Sequence, residues 1–440
     1  MQRRFTVIYR AKLIIPVSSE PIYDGEIFIK DGRIASVSSS RTDASEDSVV
    51  DLGDCAILPA FVNVHTHLGY TILEGRLAET DFAGWITSIA GFARKFNDED
   101  FKNSAALGAL KMLRGGIVNI ADAAYCGEEL TAASNAGLRG IGCVEVFGEG
   151  DSPDFRSEVI NSVCRLQEEC GDRIRVGLSP HSVYTCGERR LRLVSKISQE
   201  LDIPLIVHAA ESFEEVLFVR DGSGPLAKVA AYAGVHPKPR GGTPVEYLNM
   251  CGVLSDKTIA AHCVHIDESD INTMALSGVS AAHCPRSNER LKVGVSPYPA
   301  ILDAGIRVGL GTDSSASCGR LDMFEEMRAA IRLHSPKIDA LSALRAATLD
   351  GASVFRMEHE IGSIEPGKLA DIVVVKIPEP ATDDSRDPVS SIVNECTADN
   401  VVMTMAGGET LYRDGLFTRI DAERIIAKAK ESAARIFAAY

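Results

Sequence analysis

The sequence predicts a (β/α)8 TIM barrel, joined to a small β-sandwich domain built from both chain ends. Three observations predict it. Eight short apolar runs rich in Val, Ile and Ala recur through the middle of the chain. Helix-like segments separate them. The polar residues that end the runs are mostly histidine and aspartate. Nearly continuous apolar runs divided by helices read as parallel strands buried on both faces. Eight such units over about 300 residues fit a barrel. An open doubly wound sheet usually has fewer strands, and no G-x-G-x-x-G fingerprint follows the first run.

The elements follow in order. Residues 5–16, 25–38 and 49–52 read as short strands, with Asp31-Gly32 as a sharp hairpin turn. The barrel runs are 57–67, 117–122, 140–146, 174–181, 204–208, 258–262, 279–283 and 306–313. Residues 98–114, 153–169, 187–201 and 321–333 read as helices between them. Strand-like runs return at 370–376 and 401–404, with a second Asp-Gly at Asp414-Gly415. Residues 381–388 read as a polar surface loop and 420–440 as a final helix. The expected division is 1–58 and 359–419 for the β-sandwich, 59–358 for the barrel and 420–440 for the terminal helix.

Composition narrows the function. Of 440 residues, 61 are acidic and 46 basic, and no Lys/Arg stripe stands out, so nucleic acid is not an expected partner. No run of 18 apolar residues occurs, so no membrane-spanning helix or membrane partner is expected. The first sixteen residues lack a signal-peptide pattern, so a secretory signal is not expected. The 11 cysteines include no Cys-x-x-Cys, which argues against zinc ribbons and a disulfide framework. A reducing cytoplasm is the expected compartment.

Barrel active sites lie at the C-terminal ends of the strands. There this chain carries His65, His67, Asp122, Glu145, His181, His208, His262, His283 and Asp313. His65 and His67 are two apart on an extended strand, so their side chains share a face. They can bind one divalent metal, with His208 and Asp313 completing the shell. Nitrogen and carboxylate ligands suit Zn²⁺, with Fe²⁺, Mn²⁺ or Ni²⁺ left open. Glu211, three residues past His208, is placed to shuttle protons between water and substrate. The alternative for Glu211 is a solvated acid at a helix start, beside Glu214 and Glu215. His262 is expected to hold the water or act as a fifth ligand.

Several motifs together carry a family resemblance. They are Pro59-Ala-Phe-Val-Asn-Val-His65-Thr-His67, Ser179-Pro-His181-Ser182, His208-Ala-Ala-Glu211 and Ala261-His262-Cys263. They continue with His283-Cys-Pro-Arg286-Ser-Asn288, Gly311-Thr-Asp313-Ser314 and Gly362-Ser-Ile-Glu-Pro-Gly-Lys-Leu-Ala-Asp371. The chain resembles the amidohydrolase superfamily, in its chlorohydrolase and aminohydrolase branch, over almost its whole length. The resemblance implies a hydrolase of cyclic amidines, a deaminase. Its metal ligands would be His65, His67, His208 and Asp313. Two-metal relatives bridge their ions with a modified lysine after strand four. Here that strand ends at Ser179-Pro180-His181, so one metal is expected. Glu211 would protonate a ring nitrogen, and a metal-activated hydroxide would attack C6 of an aminopurine. Asp313 would take the proton, His262 would hold the attacking oxygen, His181 would bond the substrate, and ammonia would leave.

The substrate is narrowed by one departure. In the similar deaminases of adenosine, methylthioadenosine and S-adenosylhomocysteine, a Glu beyond the first strand grips the ribose. Counting past the shared Trp85 leads instead to Arg94, followed by Lys95. The stretches around His208 and Arg286 look closest to aminodeoxyfutalosine deaminases of the alternative menaquinone pathway. Their substrate is an adenine nucleoside carrying a benzoate. Arg94, Lys95, Arg286 or Lys292 would then face the carboxylate, with Asn288 also at the substrate. The alternatives are the adenosine-type deaminases, or triazine and guanine hydrolases; loss of the acid at 211 would favour dechlorination, and the acid is present. The expected partner is thus a small molecule. A homo-oligomer is left open.

Overall fold

The computed structural model describes residues 6–40, 49–78, 81–378 and 387–438. Its centre is an eight-stranded parallel sheet in which each strand pairs with the next in sequence. The strands are β1 (Phe61–Thr66), β2 (Ile117–Ala124), β3 (Arg139–Val146), β4 (Ile174–Pro180), β5 (Leu205–Ala209), β6 (Thr258–His262), β7 (Ser280–His283) and β8 (Val308–Leu310). The ring closes where Thr66 bridges Asp313, with the Asp313 N–H donating to the His65 carbonyl at 2.9 Å. The result is the predicted (β/α)8 barrel.

The barrel interior below the site is narrow and apolar. Val62, Val64, Ala123, Cys143, Ile206 and Ala282 pack there, and Phe355 joins the same cluster. The larger cluster lies between the strands and the outer helices. Helix Asp98–Arg114 shows how local chemistry sets its bounds. Asn97 and Asp100 form a reciprocal capping box, three acids fill the first turn, and Lys111 and Arg114 end the last.

Close packing of the strands leaves little room at Gly140. Its φ is +126°, and an added Cβ would lie 2.2 Å from the Ile120 carbonyl oxygen of β2. Gly140→Ala is therefore expected to cost at least about 1–3 kcal/mol of stability, from backbone strain alone. A denaturant midpoint unchanged from the parent would contradict this.

The chain ends form two further sheets. One holds Arg33–Ser38, Glu26–Lys30, Thr6–Arg10 and Val49–Asp51 in that order. The other runs from Leu416–Phe417 through Glu409–Arg413, Val401–Ala406, Ile372–Lys376 and Cys55–Pro59 to Leu13–Ile14 and Ile22–Tyr23. Ile14, Ile27, Ile34, Val374 and Met403 share one core between them. Both predicted Asp-Gly turns form. Asp31 and Gly32 have φ of 51° and 79°, and Asp414 and Gly415 have 49° and 87°, the paired positive values a type I′ turn requires.

Two expected strands are divided between sheets, and 5–16 becomes Thr6–Arg10 in the first end sheet and Leu13–Ile14 in the second. The run read as a single strand, 57–67, is two strands in two sheets. Cys55–Pro59 pairs antiparallel with Ile372–Lys376, and only after Ala60 does β1 begin. Both halves are buried, so hydrophobicity alone cannot reveal the switch. Asp371 fastens the second sheet to the barrel: it accepts from Asn119 at 3.0 Å, Arg139 at 2.6 Å and the Gly407 N–H at 2.7 Å. Helix Ala422–Phe437 packs on Asp98–Arg114, with Asn103 donating to Ser432 at 3.2 Å. The expected polar loop at 381–388 lies mostly outside the described residues. No helix among the described residues is long and apolar enough to cross a membrane.

Candidate active site

The C-terminal ends of the strands bring the chosen residues together. His65 and His67 come from the end of β1, His208 from β5, His262 from β6 and Asp313 from just beyond β8. All five are buried. His67 Nε2 lies 3.1 Å from His208 Nε2 and 3.5 Å from Asp313 Oδ1, and His65 Nε2 lies 3.6 Å from that same oxygen.

The backing contacts aim these atoms inward. His208 Nδ1 donates to the His181 carbonyl at 2.8 Å, which leaves Nε2 with its lone pair. His262 Nδ1 meets Asn288 Oδ1 at 2.9 Å, which likewise frees its Nε2. Asp313 Oδ2 accepts from Ser287 at 2.6 Å and Ser317 at 2.7 Å, so Oδ1 is the oxygen left for the histidines. Backbone φ is positive at His262 (71°) and Asp313 (58°), conformations a non-glycine residue holds only when its surroundings impose them.

The donor set fits a divalent cation. Both nitrogens of His65, Nδ1 of His67 and Nε2 of His262 are buried without a hydrogen-bond partner. Orphaned buried polar atoms are costly and need an explanation. Burial, then neighbouring imidazoles, hold His67 down to about 3, so it is a neutral ligand at neutral pH. Burial also drives His208 well below its ordinary value. Burial would raise the Asp313 carboxyl, but His65, His262 and His67 hold it well below the usual range, as an anion. Nitrogens and one carboxylate at this spacing suit a borderline ion such as Zn²⁺.

Glu211 sits beside this cluster, with Oε1 3.7 Å from His262 Nε2. It is 3% exposed, so the alternative of a solvated helix-start acid fails. Burial raises its carboxyl well above the usual range, and Asp313, Glu215 and Glu214 add to this, which favours the protonated acid. Glu215, expected in a solvated run, is fully buried and accepts the N–H groups of Ala210 (3.1 Å) and Glu211 (2.8 Å). It thus fixes the loop that carries Glu211. His181 Nδ1 is tied to Thr185 at 2.8 Å, which leaves its Nε2 uncommitted, and burial holds the ring down to about 4.

These groups floor a cavity of about 380 Å³. Its walls are apolar and aromatic, with Trp85, Ile89 and Phe147 among them, and Arg94 and Tyr232 line it too. Arg94 lies 5.1 Å over the Tyr232 ring.

Other sequence-chosen residues lie elsewhere. Arg286 does not line the cavity: it pairs with Glu325 and Glu326 and donates to the Arg320 carbonyl at 2.8 Å, so acids absorb its charge. Asn288 stands behind His262 rather than in the cavity, and Lys95 and Lys292 are not among the lining residues. His283 also turns away; its Nε2 lies 3.2 Å from His334 and its ring stacks on Tyr298. Sequence reasoning assigned no role to Ser317, Thr185 or Glu215. Only Glu215 had a visible signal, an acid four residues after Glu211.

Fold and site together define a barrel hydrolase whose chemistry converges on a histidine–aspartate cluster. The chain belongs to the amidohydrolase family, which it matches over residues 56–411. It is therefore a hydrolase acting on carbon–nitrogen bonds. It is 33% identical over 424 residues to a 5′-deoxyadenosine deaminase of Methanothermobacter thermautotrophicus, covering 94% of this chain and 95% of that one. It is 30% identical over 441 residues to a 5-methylthioadenosine/S-adenosylhomocysteine deaminase of Syntrophomonas wolfei, covering 96% and 97%. Among solved structures, a zinc-bound adenosine deaminase from Xanthomonas campestris superposes with a TM-score of 0.84 at 26% identity, covering 98% of each chain.

Proposed function

We propose that this chain hydrolytically deaminates an adenine nucleoside at C6, releasing ammonia, with one divalent ion, most simply Zn²⁺, held by His65, His67, His208 and Asp313. The observation that carries the reading is Glu211, a buried acid beside His262 and next to the neutral-histidine cluster. The ion, when bound, supplies a Lewis acid that lowers the pKa of water toward about 7. Glu211 gives its proton to a ring nitrogen of the purine, making the ring carbon electrophilic. Asp313 Oδ1 takes a proton from the attacking water and passes it to the C6 amino group, which leaves as ammonia while the new hydroxyl returns a proton to Glu211. His262 Nε2 accepts from that water, because Nδ1 is engaged by Asn288. His181 Nε2 bonds the ring, because Nδ1 is engaged by Thr185. The apolar walls exclude other water and suit a purine. Retained acid chemistry at Glu211 favours deamination over dechlorination of a triazine.

For the finer substrate, the reading is a nucleoside with a carboxylate beyond the ribose, such as aminodeoxyfutalosine in menaquinone biosynthesis. It is supported by Arg94, an exposed guanidinium lining the cavity that no described acid pairs with. A second reading is favoured by the names of the relatives: 5′-deoxyadenosine, methylthioadenosine or S-adenosylhomocysteine. Ammonia release from a panel of adenine nucleosides, with and without acidic substituents, separates the two. Arg94→Ala is expected to raise KM for the carboxylated nucleoside by about tenfold or more and leave neutral ones little changed, since an ion-paired hydrogen bond contributes about 1.5–3 kcal/mol. An equal change for both kinds would remove the carboxylate from the reading.

A further inference from the structure

Glu145 is a buried carboxyl group at the cavity floor that the mechanism above does not use. Glu145 ends β3. Ile141 and Cys143, two and four residues earlier, belong to the apolar cluster inside the barrel. Alternation along the strand therefore turns Glu145 inward, and it lines the floor of the cavity. It is 7% exposed, and its charged neighbours are Glu129, Asp122 and Asp313, all acids. A carboxyl group buried among acids has no packing rationale.

Its position does have a partner. Glu145 Oε1 lies 3.7 Å from His67 Nδ1, and both atoms are buried without a hydrogen bond. His67 presents its other nitrogen, Nε2, to His208 and Asp313. An imidazole that offers the Nε2 lone pair carries its proton on Nδ1. That buried N–H needs an acceptor, and Glu145 Oε1 is an acceptor facing it.

We propose that Glu145 is a positioning residue that accepts the Nδ1–H of His67, fixing its tautomer and ring angle so that Nε2 points at the cation. The pattern is the carboxylate–histidine–metal arrangement known to raise ligand basicity. It differs from the support of His208, whose Nδ1 uses a main-chain carbonyl. The inference rests on the metal reading above.

The test is Zn²⁺ affinity of the full chain, by competition with a chromophoric chelator, beside the melting midpoint of the metal-free protein. Glu145→Leu removes the acceptor and is expected to weaken Zn²⁺ binding about 10–100-fold. Glu145→Gln keeps an acceptor oxygen and is expected to lose less. Neither should lower the metal-free midpoint, since each removes a buried acid from among acids. Glu145→Leu affinity within about twofold of the parent would overturn the proposal, as would a metal-free midpoint that falls in step with affinity. Should Glu145→Leu not fold, Glu145→Asp, which withdraws the oxygen by one methylene, takes its place. It is expected to bind Zn²⁺ more weakly than Glu145→Gln, and parent-like affinity would overturn the proposal. A parent chain that takes up no Zn²⁺ is a separate result, because it removes the metal reading itself.

Discussion

Glu211→Gln is expected to lower kcat by about 10²–10⁴-fold while bound metal stays at the parent level. The amide keeps the shape of the acid and its place 3.7 Å from His262, but cannot deliver a proton. Because Glu211 is buried, the change also removes a group whose ionisation the site resists, so the fold should not suffer. The measurement is kcat at saturating nucleoside beside metal content by atomic absorption. A loss below about tenfold would take proton transfer away from Glu211. A variant emptied of metal would place Glu211 among the ligands, since its carboxylate also lies in a group with His262 and Asp313 able to hold an ion.

His65→Ala is the second large effect. Both ring nitrogens of His65 are buried without partners, and Nε2 faces Asp313 Oδ1 at 3.6 Å. Removing the ring leaves the cluster one ligand short. Metal and activity are both expected to disappear. An independent reading is thermal: a ligand at about 1,000 times its Kd stabilises by about 4.1 kcal/mol. Added Zn²⁺ should therefore raise the melting midpoint of the parent and leave that of His65→Ala unmoved. Full metal and activity in the variant would dismantle the ligand set.

Much of this site is legible in the sequence. His65-Thr66-His67 could be read because a strand places alternate residues on one face, and barrel chemistry gathers where strands end. His208, Glu211, His262 and Asp313 follow from the same rule. The rule also chose His283, and there it misled. His283 ends β7 as His262 ends β6, yet it packs against His334 and Tyr298 outside the cavity. A four-residue strand of one serine and two alanines before the histidine, buried on both faces, offers no signal of which way its last side chain turns. The cations chosen for a carboxylate divided for a similar reason. Arg94 reaches the cavity, whereas Arg286 meets Glu325 and Glu326 from a helix some forty residues away. Pairing of that kind depends on how two helices dock.

By itself, then, the sequence determined the barrel, the type I′ turns and the identity of the convergent histidines and carboxylates. Each of these rests on local rules: burial on both faces, a fixed strand period, and residues that tolerate positive φ. Tertiary structure alone decided the rest. It split the first apolar run at Ala60 between two sheets. It set Ser287 and Ser317 on one oxygen of Asp313, Asn288 behind His262, and Glu215 beneath the Glu211 loop. It also faced Glu145 toward His67. The physical reason is that a period tells which face a side chain shares. Only the closed ring tells which distant atoms stand opposite it, and hydrogen bonds act over about 3 Å.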